Sequence, residues 1–252
     1  MKKIVGYIIF LLGFGFVVAN ENVEKMVQEG NALYKIAEYS KAIQKYEEVL
    51  NADYEAPELY YNLGNSYFRL HEYPSAILNY ERALRLSPRD KSVLTNLEIA
   101  NSRIEDKVNV VPKVFFVKWI QNISSSQTLN AWGVITIVFL LFTCIFIFFY
   151  LKSSSFVLKK ATFFSGILCL LLFLFSFGLG NQRYHTIHNK SEAIVFQALV
   201  VAKSSPQGTS VDKFVIHKGT KVFIQEKMGG WIKIRLADGN VGWIEEEKVT
   251  II

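Results

Sequence analysis

The run Tyr60-Tyr61-Asn62-Leu63-Gly64-Asn65-Ser66-Tyr67 decides how the first third of this chain is read. Tyr60, Leu63, Gly64 and Tyr67 fall at i, i+3, i+4 and i+7, which is one face of a helix. Ala76, Tyr80 and Ala83 repeat the helical spacing further on, and Pro88 supplies a stop. A shift of 34 residues superposes Gly30 on Gly64, Tyr39 on Tyr73, Ala42 on Ala76 and Tyr46 on Tyr80. The same shift brings Leu63 onto Leu97 and Tyr60 onto Leu94. Two helical patterns within each period describe a helix–turn–helix unit repeated along a stack. The pattern has a packing cause: Gly30 and Gly64 let the two helices of a unit approach closely, and the aromatics fill the spaces between units.

Period, glycine and aromatic positions together resemble the tetratricopeptide repeat. The expected repeat domain covers residues 20–107, with units at 23–56 and 57–90 and a capping helix at 91–105. The first unit is looser, with Met26 and Glu29 where Tyr60 and Leu63 stand in the second. Roughly three repeats are usual for a stable stack, so the first helix is expected to draw support from a partner or the nearby membrane. Three stripes share one register: Gln28-Asn31-Lys35, Asn62-Asn65-Arg69 and Asn96-Ile99-Arg103. In tetratricopeptide proteins that register lines a concave groove. The expected partner-binding groove is therefore Asn31, Lys35, Asn62, Asn65, Arg69, Asn96 and Arg103. Asn amides can hold an extended peptide backbone, and a Lys/Arg ladder suits a carboxylate or acidic segment. The competing reading is a merely solvated surface.

Apolar content is high for a soluble chain: 51% of the 252 residues are hydrophobic, and the mean hydropathy is +0.22. Ala131–Leu151 and Ala161–Gly180 are uninterrupted by charge and long enough, at about 1.5 Å per residue, to cross a hydrocarbon layer of about 30 Å. Without a charged residue inside either one, neither a transporter nor a channel is expected. The intervening segment 152–160 carries Lys152, Lys159 and Lys160 and no acid, which places it in the cytoplasm. Met1-Lys2-Lys3, the apolar Ile4–Val18 and the small Ala19 form a signal-peptide pattern over residues 1–19; an uncleaved anchor is the alternative. Both signals put the repeats and the C-terminal part outside. The net charge of +6 is explained by this topology, since acids outnumber bases from Asn20 to Val110, and no nucleic-acid partner is expected. Within the linker 108–130, Val110–Ile120 is apolar, aromatic and too short to span, so it is expected to lie in the membrane interface.

After a linker at 181–191, residues 192–252 change to short β-rich runs: Ala193–Phe196, Val222–Gln225, Trp231–Leu236 and Val241–Ile244. Gly229-Gly230 and Asp238-Gly239 are turn signals between them. Gly219-Thr220-Lys221-Val222, Gly230-Trp231-x-Lys233-Ile234 and Gly242-Trp243-Ile244 resemble the bacterial SH3-like (SH3b) domain, which implies a small all-β barrel. Trp231 and Trp243 are the candidates for a ligand surface there, and equally for core or rim positions. The fold class is thus a multi-domain membrane protein of α-helical repeat hairpins, two transmembrane helices and a small β domain.

Signal sequence, repeats, interfacial stretch, two spans and SH3-like end, in that order, resemble the BatE-type proteins of the aerotolerance operons of Gram-negative bacteria. That resemblance implies a scaffold in the envelope, with von Willebrand factor A-type membrane proteins as neighbours. The two cysteines, Cys144 and Cys169, lie in the apolar runs, so no disulfide or thiolate metal site is expected in the soluble parts. With no catalytic triad, dyad, phosphate loop or metal cluster, a non-enzymatic adaptor without cofactor is expected, and a peptidoglycan-binding anchor is the alternative.

Overall fold

Both repeat units turn in the same way. Ala37 and His71, 34 residues apart, both adopt left-handed backbone, with φ of 63° and 64°. That conformation ends a helix by reversing its hand. Glu38 N–H then donates to Leu33 O and Glu72 N–H to Tyr67 O, each at 3.0 Å. The structure, a computed structural model, describes residues 21–107, 115–188 and 191–252. The expected signal peptide and part of the linker before the first span lie outside the described residues.

Four helices form the two units: α1 (Glu21–Lys35) with α2 (Tyr39–Asn51), then α3 (Pro57–Arg69) with α4 (Tyr73–Leu86). The capping helix α5 covers Lys91–Asn101, ending before the expected residue 105. Asp90 caps it, its carboxylate accepting from Ser92 N–H at 2.9 Å and Val93 N–H at 3.2 Å. The close approach foreseen at the glycines is present: a Cβ on Gly30 would sit 2.6 Å from the Tyr46 ring, and one on Gly64 2.7 Å from the Tyr80 ring.

A short helix, α6 (Phe115–Ser124), leads into a helical hairpin of α7 (Leu129–Lys152) and α8 (Phe156–His188). Both hairpin helices are long and apolar enough to cross a membrane. The nine-residue loop expected at 152–160 shrinks to residues 153–155, because Lys159 and Lys160 continue the first turns of α8. At the other end α8 runs through the expected linker to His188, since nothing in Asn181-Gln182-Arg183 breaks a helix. Polar contacts pin the hairpin near α6: Ser124 Oγ donates to Leu179 O at 3.0 Å, and Trp132 Nε1 donates to Ser124 O at 2.8 Å. Phe115, Phe116 and Trp119 of α6 are exposed, Phe115 at 82%.

The C-terminal region is one antiparallel sheet of seven strands in the order β3-β2-β6-β5-β4-β1-β7. The strands are β1 (Glu192–Val195), β2 (Leu199–Lys203), β3 (Asp212–His217), β4 (Lys221–Met228), β5 (Trp231–Arg235), β6 (Val241–Glu245) and β7 (Val249–Ile251). The end strands β3 and β7 do not pair with one another, so the sheet stays open where a barrel was expected. The runs foreseen correspond to β1, β4, β5 and β6. β2, β3 and β7 were not foreseen; β2 and β3 frame the polar turn around Ser204–Ser210, whose composition hides the pairing, and β7 is only three residues long. Val200, Ile216, Ile232, Ile234 and Ile244 fill the core of this sheet.

Repeats and sheet are packed together. Ile194 and Ile252 belong to the same buried cluster as Ile77, Tyr80, Val93 and Leu97. Lys221 of β4 reaches Glu81 of α4 and Glu192 of β1, both at 2.8 Å. Arg82 Nη2 donates to Ile251 O at 3.0 Å. Beyond α5, the Asp106 carboxylate accepts from His217 N–H at 2.7 Å and from the Thr220 hydroxyl, and lies 2.8 Å from His217 Nδ1. Gly219 (φ 93°) lies in that seam, where a Cβ would meet Ile104 at 2.5 Å. Such an interface puts repeats and sheet on one side of any membrane the hairpin crosses.

Candidate functional site

Two copies of one hydrogen-bond network hold the stack together. In the first, Asn31 Oδ1 accepts from Tyr46 Oη at 2.8 Å and from Asn62 Nδ2 at 3.0 Å. Thirty-four residues on, Asn65 Oδ1 accepts from Tyr80 Oη and Asn96 Nδ2, both at 2.8 Å. Each network ties three helices, and Asn96 Nδ2 also reaches Tyr61 Oη at 3.2 Å. Burial pushes the Tyr46 phenol up to about 12 and raises that of Tyr80 as well, so both remain protonated donors near neutrality.

These bonds change the role of the asparagines. Asn31 spends its oxygen and Asn62 its Nδ2 between helices, and neither lines the cleft between successive first helices. Asn65 has spent its oxygen on Tyr80 and Asn96, which leaves its Nδ2 as a donor.

Between the first helices of successive units lies a cleft of about 180 Å³, walled by Tyr34, Phe68, Tyr80 and Ile99, with Asn65, Arg69 and Asn96 as its polar groups. Arg69 is exposed but oriented: its Nε donates to Tyr39 Oη at 3.0 Å, and its guanidinium stands 5.3 Å over the Tyr39 ring. Tyr34 packs edge-on against the same ring at 5.3 Å. Among the described residues no carboxylate pairs with Arg69. Of the expected stripe, the cleft collects Asn65, Arg69 and Asn96. Lys35 and Arg103 are exposed and do not line it. Tyr34 and Phe68 were missed, although their signal was present: they lie 34 residues apart, each directly before a stripe cation. Chemically the cleft offers aromatic walls, an amide donor and an unneutralised cation, a set suited to a short apolar segment bearing a carboxylate.

On the sheet, Trp243 is only 8% exposed, and Lys233 Nζ lies 5.9 Å from its ring centroid. Trp231 is half-buried at the start of β5.

A family model described as tetratricopeptide repeat matches residues 57–90, and a second, described as TPR repeat, matches residues 30–71. The segment the helices α1–α4 occupy therefore carries tetratricopeptide repeats, modules that typically bind other proteins rather than catalyse. No curated protein matches the chain.

Proposed function

We propose that this chain is a membrane-anchored adaptor whose concave cleft holds a segment of a partner protein. The observation that carries it is the cleft itself: Arg69, held in place by Tyr39 but lacking an acidic partner among the described residues, beside aromatic walls on a repeat type that binds proteins. The partner segment is acidic, or ends in a carboxylate, with an apolar side chain to set against Tyr34 and Phe68. The hairpin anchors the adaptor in the cytoplasmic membrane, and the Lys152–Lys160 cations and the signal-peptide pattern favour a periplasmic position for repeats and sheet. The resemblance to BatE-type proteins makes von Willebrand factor A-type membrane proteins the first partners to test, in an aerotolerance or envelope-stress complex.

Cell-wall binding through the C-terminal sheet would have to start from Trp231, because Trp243 is nearly closed to solvent.

A C-terminally acidic peptide should bind the full chain in detergent, with the change in polarisation of a labelled peptide as readout. Arg69→Glu should lower that affinity at least about tenfold, an amount corresponding to one lost charged contact. Equal binding by Arg69→Glu and the unmodified chain would remove the cleft from consideration.

A further inference from the structure

Where the repeats, α6, the end of α8 and the sheet converge there is a second and larger cleft, of about 450 Å³. Its most unusual occupant is Arg183, which is 2% exposed although it lies only three residues beyond the apolar run of α8. Arg183 Nη2 donates to Leu86 O at 2.8 Å. Its Nε and Nη1 have no hydrogen-bond partner among the described residues. Arg85 lines the same cleft; it donates through Nη1 to Ile252 O, and its buried Nε is likewise without a partner. The side-chain carboxylates lining this cleft, Glu81 and Glu192, are both held by Lys221 at 2.8 Å. Arg183 therefore has no acidic side chain among the described residues, and together with Arg85 it leaves three buried N–H positions unmet. Buried donors without acceptors are rare because water's hydrogen bonds have been given up for nothing.

We propose that this cleft binds a phosphate group, carried by a phospholipid headgroup or free in solution. A tetrahedral oxyanion presents several acceptor oxygens, so it can take donors from Arg85 on α4 and Arg183 on α8 at once. The cleft has room for more than a bare ion. Its height suits a headgroup: Arg183 follows the hydrophobic stretch of α8, and the exposed Phe115, Phe116 and Trp119 of α6 lie alongside as an interfacial belt. The site is separate from the concave cleft and does not depend on what that cleft binds.

The test is thermal unfolding of the full chain in a neutral detergent, with inorganic phosphate, short-chain phosphatidylglycerol or the matching diacylglycerol added. A ligand that binds only the folded state stabilises it by RT ln(1 + c/Kd) at free ligand concentration c, so the unfolding temperature keeps rising with ligand concentration. Stabilisation by phosphatidylglycerol but not by phosphate or diacylglycerol identifies a lipid headgroup. Equal stabilisation by inorganic phosphate identifies a free anion. No response to either phosphate-bearing probe, or an equal response to diacylglycerol, overturns the proposal. Arg183→Gln should raise the half-saturating concentration at least about tenfold. Because that variant also loses the bond to Leu86, Thr186→Trp provides a second arm, filling the cleft from an exposed rim position without removing a charge. An unaltered response in Thr186→Trp overturns the proposal even if Arg183→Gln does not fold.

Discussion

Helix α4 faces two different neighbours with adjacent residues. Tyr80 points to the concave side, where it bonds Asn65 and walls the cleft. Glu81, Arg82 and Arg85 point to the sheet. On the sheet side the polar groups meet protein partners: Glu81 pairs with Lys221, and Arg82 donates to the Ile251 carbonyl. On the concave side Arg69 has, among the described residues, a phenol and an aromatic face but no acid. The difference separates a contact that is finished from one that is waiting. A finished interface neutralises what it buries, whereas a recognition surface keeps a charge oriented and exposed.

The comparison breaks first at its shared foundation. Gly64→Val would drive a branched side chain into the Tyr80 ring, 2.7 Å from even a bare Cβ, and disturb both sides of α4. The expected loss is about 3 kcal/mol by urea unfolding, within the usual range for overpacking. A near-neutral result would mean that the two helices can separate without cost. Next is Lys221→Met, which strands Glu81 and Glu192 at a half-buried seam. Fully buried pairs lose more, so about 2 kcal/mol is expected here, together with faster amide exchange in β1 and β4.

A smaller effect should follow pH. Burial alone would raise the Asp106 carboxyl, but hydrogen bonds from Thr220 and His217 outweigh it and hold the group below its ordinary range. Its contribution is therefore present above the ordinary carboxylate value and lost as pH falls through the lowered one. The hydrogen bond to Asp106, aided by the Glu105 charge, raises His217. That contribution is complete below the ordinary imidazole value of about 6.5 and is lost as pH rises through the raised one. The seam should be tightest in mildly acidic solution, and His217→Gln should flatten the alkaline side of the profile of unfolding temperature against pH. An identical profile in that variant would detach His217 from the seam's stability. The smallest stability change belongs to the open side: Arg69→Glu should alter unfolding by no more than about 0.5 kcal/mol, as exposed substitutions usually do. A large destabilisation there would make Arg69 a structural residue and undo the contrast.

Much of this arrangement was legible because it repeats. Gly30 and Gly64, Tyr46 and Tyr80 announced the helix pairs through spacing alone. Asn65, Arg69 and Asn96 were legible as a stripe, yet spacing could not tell that Asn31 spends its oxygen, and Asn62 its Nδ2, between helices. That depends on where Tyr46 delivers its hydroxyl, a fact of tertiary packing. The same limit hid the seam between repeats and sheet: Asp106 and His217 are 111 residues apart and share no local pattern. Four of the strands were visible as β-rich runs around glycine turns. The open end of the sheet was not, because whether β3 meets β7 is decided by curvature and not by composition.

The length of α8 has a mechanical side. Its 33 residues make a rod of about 50 Å, of which a bilayer core accounts for only about 30 Å. No hinge lies between the buried rod and Arg183, whose bond to Leu86 fastens it to the repeats. With the hairpin in a bilayer, any tilt or rotation of that rod is delivered directly to the last turn of α4. With the hairpin so placed, the repeat stack is geared to the membrane rather than tethered to it by a slack cord.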